Sequence, residues 1–371
     1  MALTRIQPPA VADVREPNFR NIVINGDMAV AQRGTTATGI GNGDNACHTV
    51  DRFSFYEEGA TSGEFTMSQD TDVPTGQGFA KSVKLDCTTA DGTLAAAEVA
   101  ALEYKMEGQD LQYIKKGTSN AESLTLTFWV KTNKTGTYVV TWYDNDNDRQ
   151  TSQNYTVSVA DTWEKKNITF APDTSGTLTN DNTLALAMYF ILGAGTDYTS
   201  GSAATAWEVF TGNADNWCGG QTVNMLDSTS NYINITGVQL EAGSVATDFE
   251  VVPYDQSFFR CQRYCVIGGR EQVYNEIGNL GIAFSTTQAD NNIYLYQPMR
   301  TIPSLTQSGS FQLSDASSAS ATTSITLMTT QSSSNNVSLR SVVSSGLTDK
   351  RPYRLEAANS AAAYILLSAE L

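Results

Sequence analysis

The sequence predicts an all-β protein: a jelly-roll β-sandwich, then a short helical connector, then a smaller C-terminal β domain. Three observations predict it. Apolar and polar residues alternate in many runs of about five to nine residues, the period of a half-buried strand. Charged residues make up only 17% of the chain, while Ser, Thr, Asn and Gly are abundant. That composition suits strands whose wet face is built from hydroxyls and amides. Finally, residues 234–265 read as a hinge: an alternating strand, an acidic–aromatic clasp (Asp248, Phe249, Glu250), and a segment with helical spacing. At 371 residues the chain can bury a sizeable core on each side of it.

Residues 1–20 are polar, aperiodic and marked by Pro8, Pro9 and Pro17. They are expected to form an extended attachment arm, with Leu3, Ile6, Pro8 and Pro9 as its anchoring residues. The sandwich is expected over 21–252. Its short strands begin at Phe53 and Ser82, and alternation is clearest from Ser123 to Lys131 and from Thr137 to Tyr143. The spacer Asn133-Lys134-Thr135-Gly136 between those two runs predicts a hairpin. Residues 153–159 and 164–170 continue the pattern, 184–192 reads as an apolar central strand, and 231–240 closes the set. Residues 94–116 leave two readings open, a helical turn or a strand (97–106) running into a short turn.

The connector, 253–267, is expected to be a short helix with Asp255 as N-cap and with Phe258, Cys261, Gln262 and Cys265 on one packed face. In 268–371, strands are expected at 280–285 and 293–299, followed by an extended edge around Pro303. The Ser/Thr/Ala-rich stretch 308–345 still alternates, which predicts flat, hydroxyl-rich strands. Residues 363–371 are an apolar strand that needs cover from its own domain or from a neighbouring copy.

The net charge of −16 argues against nucleic acid and anionic membrane surfaces as partners. No apolar run is long enough for membrane insertion, and the first residues lack the apolar core of a secretory leader. The five cysteines (Cys47, Cys87, Cys218, Cys261, Cys265) form no CxxC pair, and the only histidine is His48. Zinc spacing is therefore absent, and the thiols read as buried groups from a reducing site of synthesis such as a bacterial cytoplasm.

Several segments occur in an order that resembles bacteriophage tail-fibre and virion-appendage proteins of the carbohydrate-binding-module type. They are Asn21–Gly34 (NIVINGDMAVAQRG), Val50-Asp51-Arg52-Phe53, Leu126–Gly136 and Asp161–Lys166. Val238-Gln239-Leu240-Glu241, Cys261-Gln262-Arg263-Tyr264 and Pro298-Met299-Arg300 complete the series. The resemblance spans roughly residues 21–303. It implies a jelly roll on a virion surface, a homotrimer, other virion proteins of tail or capsid as partners, and a host-surface glycan as ligand. A tail fibre or fibre tip is one reading. A capsid (head) decoration or tail adaptor protein with a purely structural role is the other.

Candidate chemistry is sparse. The Gly193–Trp217 loop carries Tyr198, Trp207, Phe210 and Trp217, whose rings suit stacking on sugars or packing as loop anchors. Asp144, Asp146 and Asp148 alternate with asparagines in a turn, and their oxygens suit a structural calcium; a solvated turn is the competing reading, because the Gly and bidentate Glu of an EF-hand loop are missing. No other cofactor is expected. No motif marks a carboxylate pair for glycoside hydrolysis, and His48 has no nucleophile motif beside it, so a non-catalytic protein is expected.

Overall fold

The computed structural model describes residues 20–210, 216–315 and 317–371; the expected anchoring residues Leu3, Ile6, Pro8 and Pro9 lie outside them. The protein is all-β. In chain order, the strands of its N-terminal sandwich are β1 (Thr36–Gly41), β2 (Phe53–Glu58), β3 (Glu64–Asp70), β4 (Ser82–Thr89), β5 (Val99–Glu107) and β6 (Leu124–Thr132). They are followed by β7 (Gly136–Asp144), β8 (Arg149–Val157), β9 (Glu164–Phe170), β10 (Leu184–Ala194), β11 (Glu208–Val209) and β12 (Tyr232–Ala242). They form two six-stranded sheets, ordered β1-β3-β4-β12-β6-β9 and β11-β8-β7-β10-β5-β2. Alternation puts Phe65, Leu126 and Phe128 of the first sheet against Phe53, Phe55, Trp142 and Phe190 of the second, all fully buried. Each such side chain contributes about 1.5–3 kcal/mol on leaving water.

The two runs expected to pair as a hairpin do not pair. β6 lies in the first sheet and β7 in the second, so residues 133–135 arch across the sandwich. The arch is held from outside: Asn133 Nδ2 donates to the Ser230 carbonyl (3.1 Å), and Lys134 Nζ reaches the Asn224 carbonyl and Asp227. Alternation dictates which face a strand buries, and does not dictate its partner. In 94–116 the second reading holds: β5 runs into two 3₁₀ turns, Gly108–Asp110 and Gln112–Ile114.

Helix α1 (Thr196–Thr199) is a single turn in the loop after β10. Helix α2 (Tyr254–Cys261) forms the connector. Its N-cap is Pro253, whose side chain makes no capping bond, and Asp255 sits in the first turn, where a carboxylate still complements the helix dipole. The helix stops at Cys261, and Cys265 opens the next strand, so the expected four-residue face is split between two elements.

The C-terminal strands are β13 (Cys265–Gly269), β14 (Gly281–Ala283), β15 (Gln288–Tyr294), β16 (Ser304–Ser308), β17 (Phe311–Ser314), β18 (Ala319–Leu327), β19 (Asn336–Val343), β20 (Pro352–Ala357) and β21 (Tyr364–Ser368). Six of them close a barrel, β14-β15-β19-β18-β17-β20, and β13-β21-β16 form a three-stranded sheet. Closure removes the free edges that flat, hydroxyl-rich strands would otherwise expose. The apolar terminal strand β21 is central in its sheet, with Ile365 and Leu367 buried, so its cover comes from its own chain. β15 ends at Tyr294 instead of continuing to residue 299; Pro298 has no N–H for a ladder, and Met299 N bonds the Ser334 carbonyl across a loop (2.7 Å).

Most of the segments that carry the resemblance meet where sandwich, connector and terminus join. The Arg52 guanidinium, 2% exposed, lies 3.4 Å from the centre of the Tyr264 ring and pairs with Glu370. Arg263 binds Glu107 through Nε (2.7 Å) and a terminal nitrogen (2.6 Å), and the Tyr264 hydroxyl donates to the same carboxylate (2.5 Å). Gln32 Nε2 bridges Asp51 and the Cys265 carbonyl, and Arg33 pairs with Glu370 (3.1 Å). These residues hold the parts together; their charges are spent on one another.

Candidate functional site

Because side chains alternate, the second sheet has an outer face as well as a core face. Tyr56 of β2, Glu103 of β5, Tyr189 of β10 and Thr141 and Tyr143 of β7 point outward in neighbouring registers: Tyr189 pairs with Glu103 on one side and Thr141 on the other. This explains why β10 is buried on both faces. Leu186, Met188, Phe190 and Leu192 fill the sandwich core, while Ala187, Tyr189 and Ile191 pack under the loop that follows β10.

That loop is pinned to the sheet. Thr141 Oγ1 donates to the Trp217 carbonyl, Ser152 Oγ donates to the Asn216 carbonyl (3.0 Å), and Cys218 N bonds the Tyr198 carbonyl (2.9 Å). Trp217 stands edge-on to Tyr189 (ring centres 4.9 Å apart) and Tyr56 (6.0 Å), with Tyr198 tilted against it at 5.6 Å. Phe210 meets Tyr143 edge-on at 5.4 Å. Between these rings lies an open cleft of about 340 Å³, with Glu58 at its lip.

The structure therefore brings Tyr198, Phe210 and Trp217 to one cleft and places Trp207 elsewhere. Trp207 packs on the sandwich core, its Nε1 donates to the Ala171 carbonyl (3.1 Å), and the Lys116 ammonium lies 4.9 Å from its ring centre. Tyr56, Tyr143, Tyr189 and Glu58 were missed in the sequence reading because they sit on strands, where an aromatic reads as core. The available signal was their phase along the strand: Tyr56 and Tyr143 occupy outward positions of strands whose alternate residues are buried.

Hydrogen bonding in the cleft has a consistent direction. The Tyr56 hydroxyl donates to Glu58 (2.8 Å) and the Tyr143 hydroxyl to Asp148 (2.6 Å). Tyr198 faces Glu58, and Tyr189 faces Glu103. Burial, and then these carboxylates, raise all four phenols above their usual range, Tyr143 to about 12. They remain protonated donors at neutral pH. The Trp217 indole N–H, in a residue 5% exposed, has no acceptor among the described residues.

The three aspartates suggested for calcium do not converge. Asp144 is fully buried and bonded by the Lys116 ammonium, which also pairs with Asp173 (2.9 Å). Asp146 accepts from Thr179 N (2.8 Å), and Asp148 accepts from Tyr143. A side-chain cation thus sits where a metal would have to bind, and among the described residues no group of three or more acidic, His or Cys side chains is arranged to hold one. His48 Nε2 lies 2.8 Å from an Asp44 carboxylate oxygen.

Two other clefts are less suited to a ligand. One of about 440 Å³ beside α2 is lined by Tyr113, Arg263 and Asn21, but Arg263 is committed to Glu107. One of about 260 Å³ lies against the first sheet, where Phe79 and Phe249 pack edge-on at 5.0 Å and Trp129 is half-buried.

No protein-family model and no curated protein matches the sequence. Among solved structures, the chain is similar to the enzymatically active domain of tailspike protein 4 of bacteriophage CBA120, at 13% identity and a TM-score of 0.30 over 60% of this chain. It spans 22% of the length of that tailspike. A putative sugar-binding protein of Bacteroides thetaiotaomicron is similar at 13% identity and a TM-score of 0.32, over 60% of this chain and 99% of the other. A family 11 carbohydrate-binding module of Clostridium thermocellum is similar at 10% identity and a TM-score of 0.28, over 58% and 99%. Overlaps this loose assign no activity, which has to come from the residues of the cleft.

Proposed function

We propose that the protein is a non-catalytic glycan-binding component of a phage virion, a trimeric tail fibre or fibre tip that meets host-surface sugars. Residues 1–20 serve as the attachment arm, and 21–252, 253–267 and 268–371 are the sandwich, connector and terminal domain. The virion assignment and the trimer rest on the order of segments shared with tail-fibre proteins. Glycan binding rests on the cleft over the second sheet, where aromatic rings, tyrosine oxygens and a carboxylate lip surround a space of sugar size.

The test is binding of the full chain to host-surface polysaccharide and to a panel of oligosaccharides. Tyr143→Ala and Phe210→Ala should each weaken binding by about tenfold or more while leaving the melting temperature within a few degrees. Trp207→Ala should do the reverse, lowering stability and sparing affinity. Unchanged affinity in both cleft variants would end the reading.

A further inference from the structure

We propose that the cleft over the second sheet selects its sugar by charge, taking glycans that bear a protonated amino group over neutral ones and rejecting uronates and other anionic sugars. The proposal deepens the glycan-binding reading above and depends on it.

The argument is one of donors and acceptors. Two of the four tyrosine hydroxyls spend their single proton on a carboxylate, Tyr56 on Glu58 and Tyr143 on Asp148, and the other two face one, Tyr198 facing Glu58 and Tyr189 facing Glu103. What these groups still offer is lone pairs. A carboxylate has about four acceptor sites, so Glu58, exposed at the lip, retains capacity after the bond from Tyr56. The Trp217 indole N–H is buried and has no acceptor among the described residues. Among the described residues no Lys or Arg lines the cleft; the nearby Lys105 ammonium is held by Glu103 at 3.3 Å. A cleft so rich in acceptors needs a ligand rich in donors.

An ammonium supplies three donors and no acceptor, and it is also attracted to the π faces of tyrosine and tryptophan. A sugar ring brings the rest, a C–H face for the aromatic walls. A uronate would place a carboxylate against Glu58 on a chain that already carries −16. N-acetylation removes the charge and adds a carbonyl, which is a further acceptor.

Titration calorimetry of the full chain with oligomers of glucosamine, N-acetylglucosamine and galacturonic acid tests this at low and high salt. The expected result is binding of the glucosamine oligomer about tenfold tighter than its N-acetylated counterpart at low salt, with the advantage shrinking at high salt. Glu58→Gln should bring the affinities for the amine and its N-acetylated counterpart to within about threefold of each other, and Glu58→Lys should turn the advantage into a preference for the galacturonate. Neutral oligomers binding as tightly as the amine, or a preference indifferent to both Glu58 variants, would overturn charge selection and leave glycan binding standing. Tight galacturonate binding to the unaltered chain would also overturn it. If no saccharide of any class binds, the glycan-binding reading itself falls.

Discussion

At the residue scale, the structure separates side chains that hold the molecule together from those that are free to meet something else. Arg52 and Arg33 are buried cations whose shared counter-charge is Glu370. Removing one partner of a buried pair leaves the other uncompensated in a poorly solvated place, which costs about 3–5 kcal/mol. Glu370→Ala should therefore lower unfolding free energy by that order in urea titration, with sugar binding unchanged in the fraction that remains folded. A loss below about 1 kcal/mol would mean that water reaches these guanidinium groups. The five thiols are likewise structural: none is in a disulfide, four are buried, and burial raises every one of them, Cys47 to about 12. Thiolates are the reactive form, so these groups are poor nucleophiles at neutral pH.

At the scale of elements, what could be read in the sequence was whatever a strand carries within itself. Alternation revealed most of the strands, and the apolar run at 184–192 revealed a central one, because both are local consequences of which face is buried. Partnership is not local. The arch at 133–135 and the closed barrel depend on residues far away, such as Asn224 and Ser230, and so were invisible. The cleft was half visible for the same reason: Tyr198, Phe210 and Trp217 stand out in a loop, whereas Tyr56 and Tyr143 become site residues only when β2 and β7 take their places beside β5 and β10. The opening segment shows the converse case, a local oddity explained by a distant contact. Gly26 carries its carbonyl to Val238 N (2.8 Å), and a Cβ added there would stand 2.0 Å from the Val238 oxygen. Val238 lies within the irregular stretch of β12 between Thr236 and Gln239, so turn and bulge fit each other. Gly26→Ala should cost about 1–3 kcal/mol, the range for overpacking a filled site, measurable by thermal or chemical denaturation. A neutral result would mean that the turn can lift away from β12.

For the whole molecule, the junction between sandwich and terminus makes stability depend on pH in an unusual direction. Asp51 is fully buried there, 3.8 Å from Arg33 and bonded by Gln32 N (3.0 Å). Burial outweighs those partners and raises its carboxyl from 3.8 to about 6. A group raised in the folded state binds its proton more tightly there than in the unfolded chain. Its stabilising contribution is therefore complete below 3.8 and is lost as the pH rises to about 6. Asp27 and Asp110 are also raised by burial and act in the same sense. Two carboxylates held below their usual range oppose them at lower pH: Asp315, held down to about 2 by backbone bonds from Ser317 and Ser318, and Asp72, lowered by Lys131 and Trp163, lose their stabilisation only as the solution becomes strongly acidic. The two sets leave a maximum between them. Unfolding free energy should peak near about pH 4 and fall toward pH 7, Asp51 alone accounting for a decline on the order of 2–3 kcal/mol. Asp51→Asn, which cannot titrate, should flatten that decline. If the variant kept the full slope between about pH 4 and pH 7, Asp51 would be ionised throughout, and the network around Arg33 and Glu370 would have to be charged on both sides.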